Sequence, residues 1–428
     1  MKRRLRHFAE VNRLPWKTII LMPIFSCVST HAATSDLVPT EYIPLPEVMI
    51  APPDAITPYV AYGVNYDNNV LRLPNSATAQ ALGIGSKLSD FSRRAEAGVV
   101  ADEKIGQQHL SADLNVAKVD YNRFTALDHL DKNASANWNW HLGNHLEGNV
   151  GANYAQGLTP FVDFHLLQAN IRTQVREYLD GSWLFHPSWR VNAGLVHSDL
   201  SYDLSSQAPL NNTQNQALLG LDYLAISGST VGLQLRHIRA NFPNPQQDGG
   251  LSVPNSYDQN ELKAKIDWQF SGKTRFHFLG GWVDRKQDAF SVRNFSGFNS
   301  RVSADWSPTG KIDLTVSAWR EIGAVDDLTT VYSLNRGASF GASWNYSEKI
   351  RMVAQYKYEK RDFSHSTDSG LLGNDPNDVL HNMALTLVYK PTLRWEFQLS
   401  ASRSTQSSVS TFGGYASNAV MLNTRFLF

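Results

Sequence analysis

The chain has 428 residues, with 39 Lys and Arg set against 39 Asp and Glu and a single cysteine, Cys27, near its start. A charge balance of this kind offers no large basic surface, which argues against nucleic acid as a partner. After the first 32 residues no run of 18 apolar residues occurs, so helical membrane spans are excluded there.

Lys2, Arg3, Arg4 and Arg6 precede the apolar run Thr18 to Val28, and Thr30-His31-Ala32 supplies small residues for cleavage, the order of a secretory signal peptide over residues 1–32. The run is short for an uncleaved anchor. Ile24-Phe25-Ser26-Cys27 departs from a lipoprotein box at the bulky Phe25. Removing this segment takes six of the 39 Lys and Arg and one of the 39 Asp and Glu, leaving 33 against 38, and takes Cys27 as well. The mature chain is then expected to be mildly acidic, without disulfide or thiol chemistry. Residues 33–58 carry Pro39, Pro44, Pro46, Pro52, Pro53 and Pro58, which break regular structure and predict an extended periplasmic tail.

From Tyr59 onward apolar and polar residues alternate in segment after segment. The clearest stretch is Leu262 to Trp282: Leu262, Ala264, Ile266, Trp268 and Phe270 alternate with Lys263, Lys265, Asp267 and Gln269. Ser271-Gly272-Lys273 turns the chain, and Phe276, Phe278, Gly280 and Trp282 resume the pattern. Period two over this length predicts a β-hairpin with one apolar and one polar face. The pattern recurs around Ser307-Pro308-Thr309-Gly310, Ser347-Glu348-Lys349 and Lys390-Pro391-Thr392, and Trp268, Trp306 and Trp344 recur at a spacing of 38 residues, each just before its turn. An amphipathic hairpin repeated with an aromatic at the same end predicts a transmembrane β-barrel whose aromatics form one interfacial girdle. About 18 such segments run from Tyr59 to Phe428, with 16 as the smaller alternative, so the expected fold is an all-β, antiparallel barrel over residues 59–428. Tight turns such as Ser227-Gly228-Ser229 alternate with long loops such as Phe242 to Ser256, predicting short periplasmic turns, long extracellular loops and both ends of the barrel at the short-turn rim.

The last segment sets Val420, Leu422, Thr424, Phe426 and Phe428 on one face. Here the sequence resembles bacterial outer-membrane barrels, and the resemblance implies that Phe426 and Phe428 are an assembly signal read by the barrel-assembly machinery. The Pro-rich leader, the opening P-Y-V-A-Y-G-V-N-Y-D-N-N and the turns W-Q-F-S-G-K-T and W-S-P-T-G-K-I resemble the β-barrel porin-2 family. Within it they are similar to the EpsL-like outer-membrane proteins of exopolysaccharide biosynthesis operons. That likeness implies an outer-membrane channel for a polysaccharide substrate, with periplasmic polysaccharide-export partners and surrounding outer-membrane lipid. It carries over no binding residues.

Gly337-Ala338-Ser339-Phe340-Gly341 matches the hydrolase pattern G-x-S-x-G, which needs a strand-to-helix turn. Here the alternation continues through it, predicting a strand and no enzyme. The 13 histidines lack metal-binding spacing, so neither metal nor cofactor is expected. Asp368, Asn374, Asp375, Asn377 and Asp378 crowd one loop with oxygen ligands suited to Ca²⁺, although solvation is the simpler reading. With the apolar face toward lipid, Arg172, Arg176, Arg190, Arg236, Lys263, Lys265, Arg275, Arg301, Arg351, Lys357, Arg394 and Arg425 are expected to line the lumen. Glu147, Asp222, Asp267, Asp305, Asp313, Glu359 and Glu396 join them, leaving a cationic excess. Such a wall suits an anion-preferring channel, although any water-filled barrel needs polar lining. On the family resemblance, exopolysaccharide export is the first expectation. A general or anion-selective diffusion porin for small solutes and a structural or adhesive barrel are the alternatives.

Overall fold

Strict alternation gathers the apolar side chains on one face and leaves the backbone free to bond neighbours on both sides, so each alternating segment becomes a strand. The computed structural model describes residues 55–428 apart from 163, 165, 249–250, 289–293, 324–329, 366–376 and 409–413. The expected signal peptide and nearly all of the Pro-rich tail lie outside these residues.

The strands are β1 (Ile56–Asp67), β2 (Asp90–Ile105), β3 (Gln108–Tyr121), β4 (His129–Leu142), β5 (Leu146–Leu158), β6 (Ile171–His186), β7 (Trp189–Tyr202), β8 (Asn212–Leu224) and β9 (Thr230–Asn241). After a small loop hairpin, β10 (Gln246–Asp248) with β11 (Leu251–Val253), follow β12 (Tyr257–Ser271), β13 (Thr274–Gln287), β14 (Phe295–Thr309), β15 (Ile312–Gly323) and β16 (Thr330–Asn345). The series ends with β17 (Ile350–His365), β18 (Asn377–Tyr389), β19 (Trp395–Ser408) and β20 (Tyr415–Leu427). All strands except the β10–β11 pair form one 18-stranded antiparallel sheet in chain order. It closes where β1 pairs with β20 as well as β2, from Tyr59 opposite Leu427 to Asp67 opposite Ala419. Closure pairs the backbone groups of both end strands, the condition for a sheet to stand in hydrocarbon.

Side chains on the two faces behave oppositely. On β12, Leu262, Trp268 and Phe270 are half exposed, whereas Glu261 and Lys263 are buried although charged. The crowded polar face is therefore the interior, and the exposed apolar face is the exterior. Outward Trp183, Trp189, Tyr223, Trp268, Trp306, Trp344 and Trp395 all stand beside the short turns, forming the girdle expected from the 38-residue spacing. Ring contacts knit it together, including Trp268 with Phe276 at 5.5 Å and Trp395 with Phe426 at 4.8 Å. Gly106, Gly143 and Gly228 take positive φ in three of the short turns, where a side chain would strain the backbone. Ile56 and Leu427 lie at this same rim.

The first strand begins at Ile56 rather than Tyr59, and β6 begins only at Ile171, after the apolar Leu166 and Leu167. Leu167 is apolar because it packs against a loop core, not because it belongs to a strand.

Candidate functional site

The register assigns eleven of the twelve expected cationic residues to the inner face: Arg172 and Arg176 on β6, Arg190 on β7, Arg236 on β9, Lys263 and Lys265 on β12, Arg275 on β13, Arg301 on β14, Arg351 and Lys357 on β17, and Arg425 on β20. The twelfth is a correction. Arg394 precedes β19 in the exposed turn after Tyr389, where Thr392 Oγ1 accepts bonds from the backbone N–H groups of Arg394 and Trp395 at 3.3 and 3.2 Å. It stands one residue before the strand whose inner face the lumen assignment assumed, and its side chain is exposed at the rim. Arg94, Arg285 and Arg361 also face inward, from β2, β13 and β17.

Among the described residues the expected cationic excess is not present on this wall. Glu96, Asp113, Asp131, Asp180, Glu261, Glu321 and Asp378 share the inner face with the acids anticipated from the sequence, and most cations are matched. Arg236 grips Glu261 through two bonds of 2.8 and 2.7 Å, and Lys263 reaches the same carboxylate at 2.9 Å. Arg190 and Lys265 meet Asp222 at 2.9 and 3.5 Å. Arg301 meets Glu321 at 2.5 Å, Arg361 meets Asp378 at 3.0 Å, and Arg94 bridges Asp131 and Glu96. His277 sits between Asp267, at 2.6 Å from Nδ1, and Asp305, at 3.1 Å from Nε2. Buried charges persist only when partnered in this way.

Trp319 organises another part of the wall. Its Nε1 donates to Glu359 at 3.1 Å, and Arg301 and Lys357 stand 4.9 and 5.5 Å from its ring centroid. The ring lies over Gly337, where an added Cβ would come within 2.4 Å of it. This contact accounts for the first glycine of the G-x-S-x-G match. Ser339 itself is mid-strand in β16, opposite Ser317 and Lys357, with no strand-to-helix turn.

The long loops narrow the interior. The β1–β2 loop (residues 68–89) contains a short helix, α1 (Ser76–Ala81), capped by Asn75, whose side chain accepts from the Thr78 N–H at 2.9 Å. Val70, Leu71, Leu73 and Ala79 of this loop bury themselves with Phe124 and Leu127 of the β3–β4 loop (122–128) and with Phe161 and Phe164 of the β5–β6 loop (159–170). Asp90 fixes the second loop by accepting from the backbone N–H groups of Arg123 and Phe124 at 3.0 and 2.9 Å.

The third loop is closed at its base by Thr159 N–H to Asn170 O at 2.8 Å. It carries Val162 against Leu380 of β18 and Tyr415 of β20, three residues that are all buried. Leu380 and Tyr415 both point inward, and β4, β3, β2, β1, β20 and β19 intervene between β5 and β18 around the wall. A loop rooted on one side is therefore tethered to the inner wall seven strand positions away. Val162 thus sits on the inner side of the wall near the long-loop rim.

Among the described residues no group of His, Cys, Asp or Glu is arranged to hold a metal ion. Of the acidic-loop residues considered for Ca²⁺, Asp368, Asn374 and Asp375 lie outside the described residues. Asn377 and Asp378 project to opposite faces of β18, and Asp378 is taken by Arg361. Phe426 is outward, opposite Val60 and Trp395, and Phe428 N–H donates to Pro58 O at 3.0 Å, so both end at the barrel seam.

Residues 255–428 match the family model described as Putative beta-barrel porin 2. The protein is an outer-membrane β-barrel with a porin-like channel. The matched segment begins just before β12 and holds nine of the eighteen barrel strands, including the Trp-bearing hairpins. No curated protein matches the chain. Among solved structures, it is similar to OccK9 (OpdG) of Pseudomonas aeruginosa, at 11% identity and a TM-score of 0.47 over 87% of this chain and 98% of that one. It is also similar to OccAB4 of Acinetobacter baumannii, at 11% identity and a TM-score of 0.47 over 88% of this chain and 99% of the other. OpdQ of Pseudomonas aeruginosa gives 11% identity and a TM-score of 0.47 over 88% of this chain and all of that one.

Proposed function

We propose that the channel passes small hydrophilic solutes by diffusion and does not conduct a polysaccharide. The observation that carries this reading is the tether of Val162 to Leu380 and Tyr415, which sets a folded loop across the lumen. A growing glycan needs an unobstructed bore throughout its passage, whereas a small solute needs only the space left beside the loop. The mixed-sign wall supports the same reading, since alternating Arg, Lys, Asp and Glu offer weak, distributed contacts to polar solutes of either charge. The exopolysaccharide reading rests on the likeness of the leader, the opening strand and the Trp-bearing turns, none of which supplies a glycan-binding residue.

Two measurements separate the readings. Proteoliposomes containing the purified protein should swell in small sugars and amino acids and exclude oligosaccharides above a sharp size limit. A strain lacking the gene should keep its surface polysaccharide. Loss of that polysaccharide, together with free passage of long oligosaccharides, would reverse the assignment.

A further inference from the structure

We propose that the outer face of β15–β17 is a docking site for an outer-leaflet lipid with a phosphorylated headgroup. Arg320, Arg336 and Lys360 stand directly opposite one another on three neighbouring strands, all on the exterior face. Like charges in directly opposed positions repel, and a strand surface normally avoids the arrangement. Among the described residues the only carboxylate in reach of the row is Asp362, at 3.8 Å from Arg336 and 3.1 Å from Lys360. Other exterior cations are single and matched, Lys118 with Asp120 at 3.0 Å and Arg239 with Asp258 at 2.6 Å and Asp288 at 2.8 Å, or single and beside an amide, as Arg403 is with Asn418. The row on β15–β17 thus sets three directly opposed cations against a single described carboxylate.

Its height identifies the occupant. Arg336 lies eight positions along β16 from the girdle residue Trp344, roughly 20 Å above it at the usual strand tilt, close to the upper edge of a lipid-facing band about 25 Å tall. The long loops mark this edge as the extracellular one. Directly below the row, Val316, Ala338, Phe340 and Tyr356 form an uninterrupted apolar strip on the same three strands. A phosphate at the cationic row with acyl chains laid down the strip satisfies both features, as neither a soluble anion nor a neutral lipid would. Arginine suits this role because its planar donors bond two phosphate oxygens at once.

The test uses the full-length barrel in phosphatidylcholine nanodiscs doped with lipid A or with enzymatically dephosphorylated lipid A, the retained lipid being counted by native mass spectrometry. The wild type should retain the phosphorylated form about tenfold better than the dephosphorylated one. Replacing Arg320, Arg336 and Lys360 together by Gln should abolish that preference, while Lys118→Gln on β3 leaves it intact. Migration that differs before and after boiling verifies that each variant is a folded barrel, and the single Arg336→Gln variant, with an intermediate preference, serves if the triple does not fold. Equal retention of both lipids by the wild type, or an undiminished preference in the triple variant, would overturn the proposal. So would displacement of bound lipid A by inorganic phosphate at concentrations equal to the lipid's own, since the acyl strip would then contribute nothing.

Discussion

Replacing Val162 by Asp tests whether the β5–β6 loop is the constriction. Val162 is 5% exposed, and burial of a valine side chain contributes about 1.5–3 kcal/mol. A carboxylate placed there faces Leu380, 2% exposed, and Tyr415, 5% exposed; the nearby Arg72, 5.9 Å from the Tyr415 ring centroid, is already paired with Asp67, so several kcal/mol of desolvation are added to the lost apolar contact. The combined cost exceeds anything the single tether supplies, and the loop tip should leave the far wall. The loop's other anchors, Phe161 and Phe164, pack with the β1–β2 and β3–β4 loops on its own side and are untouched. The strand ladder does not involve Val162 at all. The expected result is a correctly folded barrel with larger single-channel conductance and a raised size limit in liposome swelling. Val162→Ala removes two methyl groups, roughly 1–2 kcal/mol, enough to raise the undocked fraction about tenfold and to appear as flickering between two conductance levels. Unchanged conductance in a folded Val162→Asp barrel would refute the constriction and, with it, the argument against polysaccharide passage.

Three further outcomes follow from the faces and pairs. Leu385, 58% exposed and four positions from the girdle residue Tyr389, lies near mid-band, so Leu385→Arg should cost about 2–4 kcal/mol in lipid; Ile266→Arg, beside Trp268, should cost about 0–1, and urea titration of folding into vesicles measures both. Gly337→Ala sets a methyl within 2.4 Å of the Trp319 ring and should destabilise by about 1–3 kcal/mol, whereas at Gly341, where the nearest atom is 3.9 Å away, the same change should be nearly neutral. Because inner cations and acids are matched, the reversal potential across a salt gradient should show weak selectivity, and Glu261→Gln, which leaves Arg236 and Lys263 without their carboxylate, should shift it toward anions and destabilise the barrel by roughly 3–5 kcal/mol. A strongly anion-selective wild type would contradict the pairing described for the wall.

What could be read from the sequence divides along a physical line. Period two is imposed residue by residue, because each outward side chain must suit lipid and each inward one water, and so Leu262 to Trp282 announces its hairpin and both faces of it without reference to the rest of the chain. The closing of β1 on β20 follows from the same rule, since an unpaired edge cannot stand in hydrocarbon. The lumen obeys a different rule. Which acid neutralises Arg301 depends on a cross-strand register that puts Glu321 opposite neither its own neighbours nor a regular repeat, so listing polar positions finds the cations and misses their partners. Arg394 shows the converse failure, where alternation is extended one residue into a turn. The constriction is less legible still: Val162 and Leu380 are 218 positions apart in a chain of 428, and nothing local distinguishes a loop that folds inward from one that stays in solvent. Its only local trace is composition. Phe161, Val162, Phe164 and Leu167 are too apolar for an exposed loop and too irregular for a strand, which is the signature of a segment that buries itself inside the barrel it helps to enclose. Function in this chain therefore resides in the residues that break the repeat, and the repeat itself reports only the membrane.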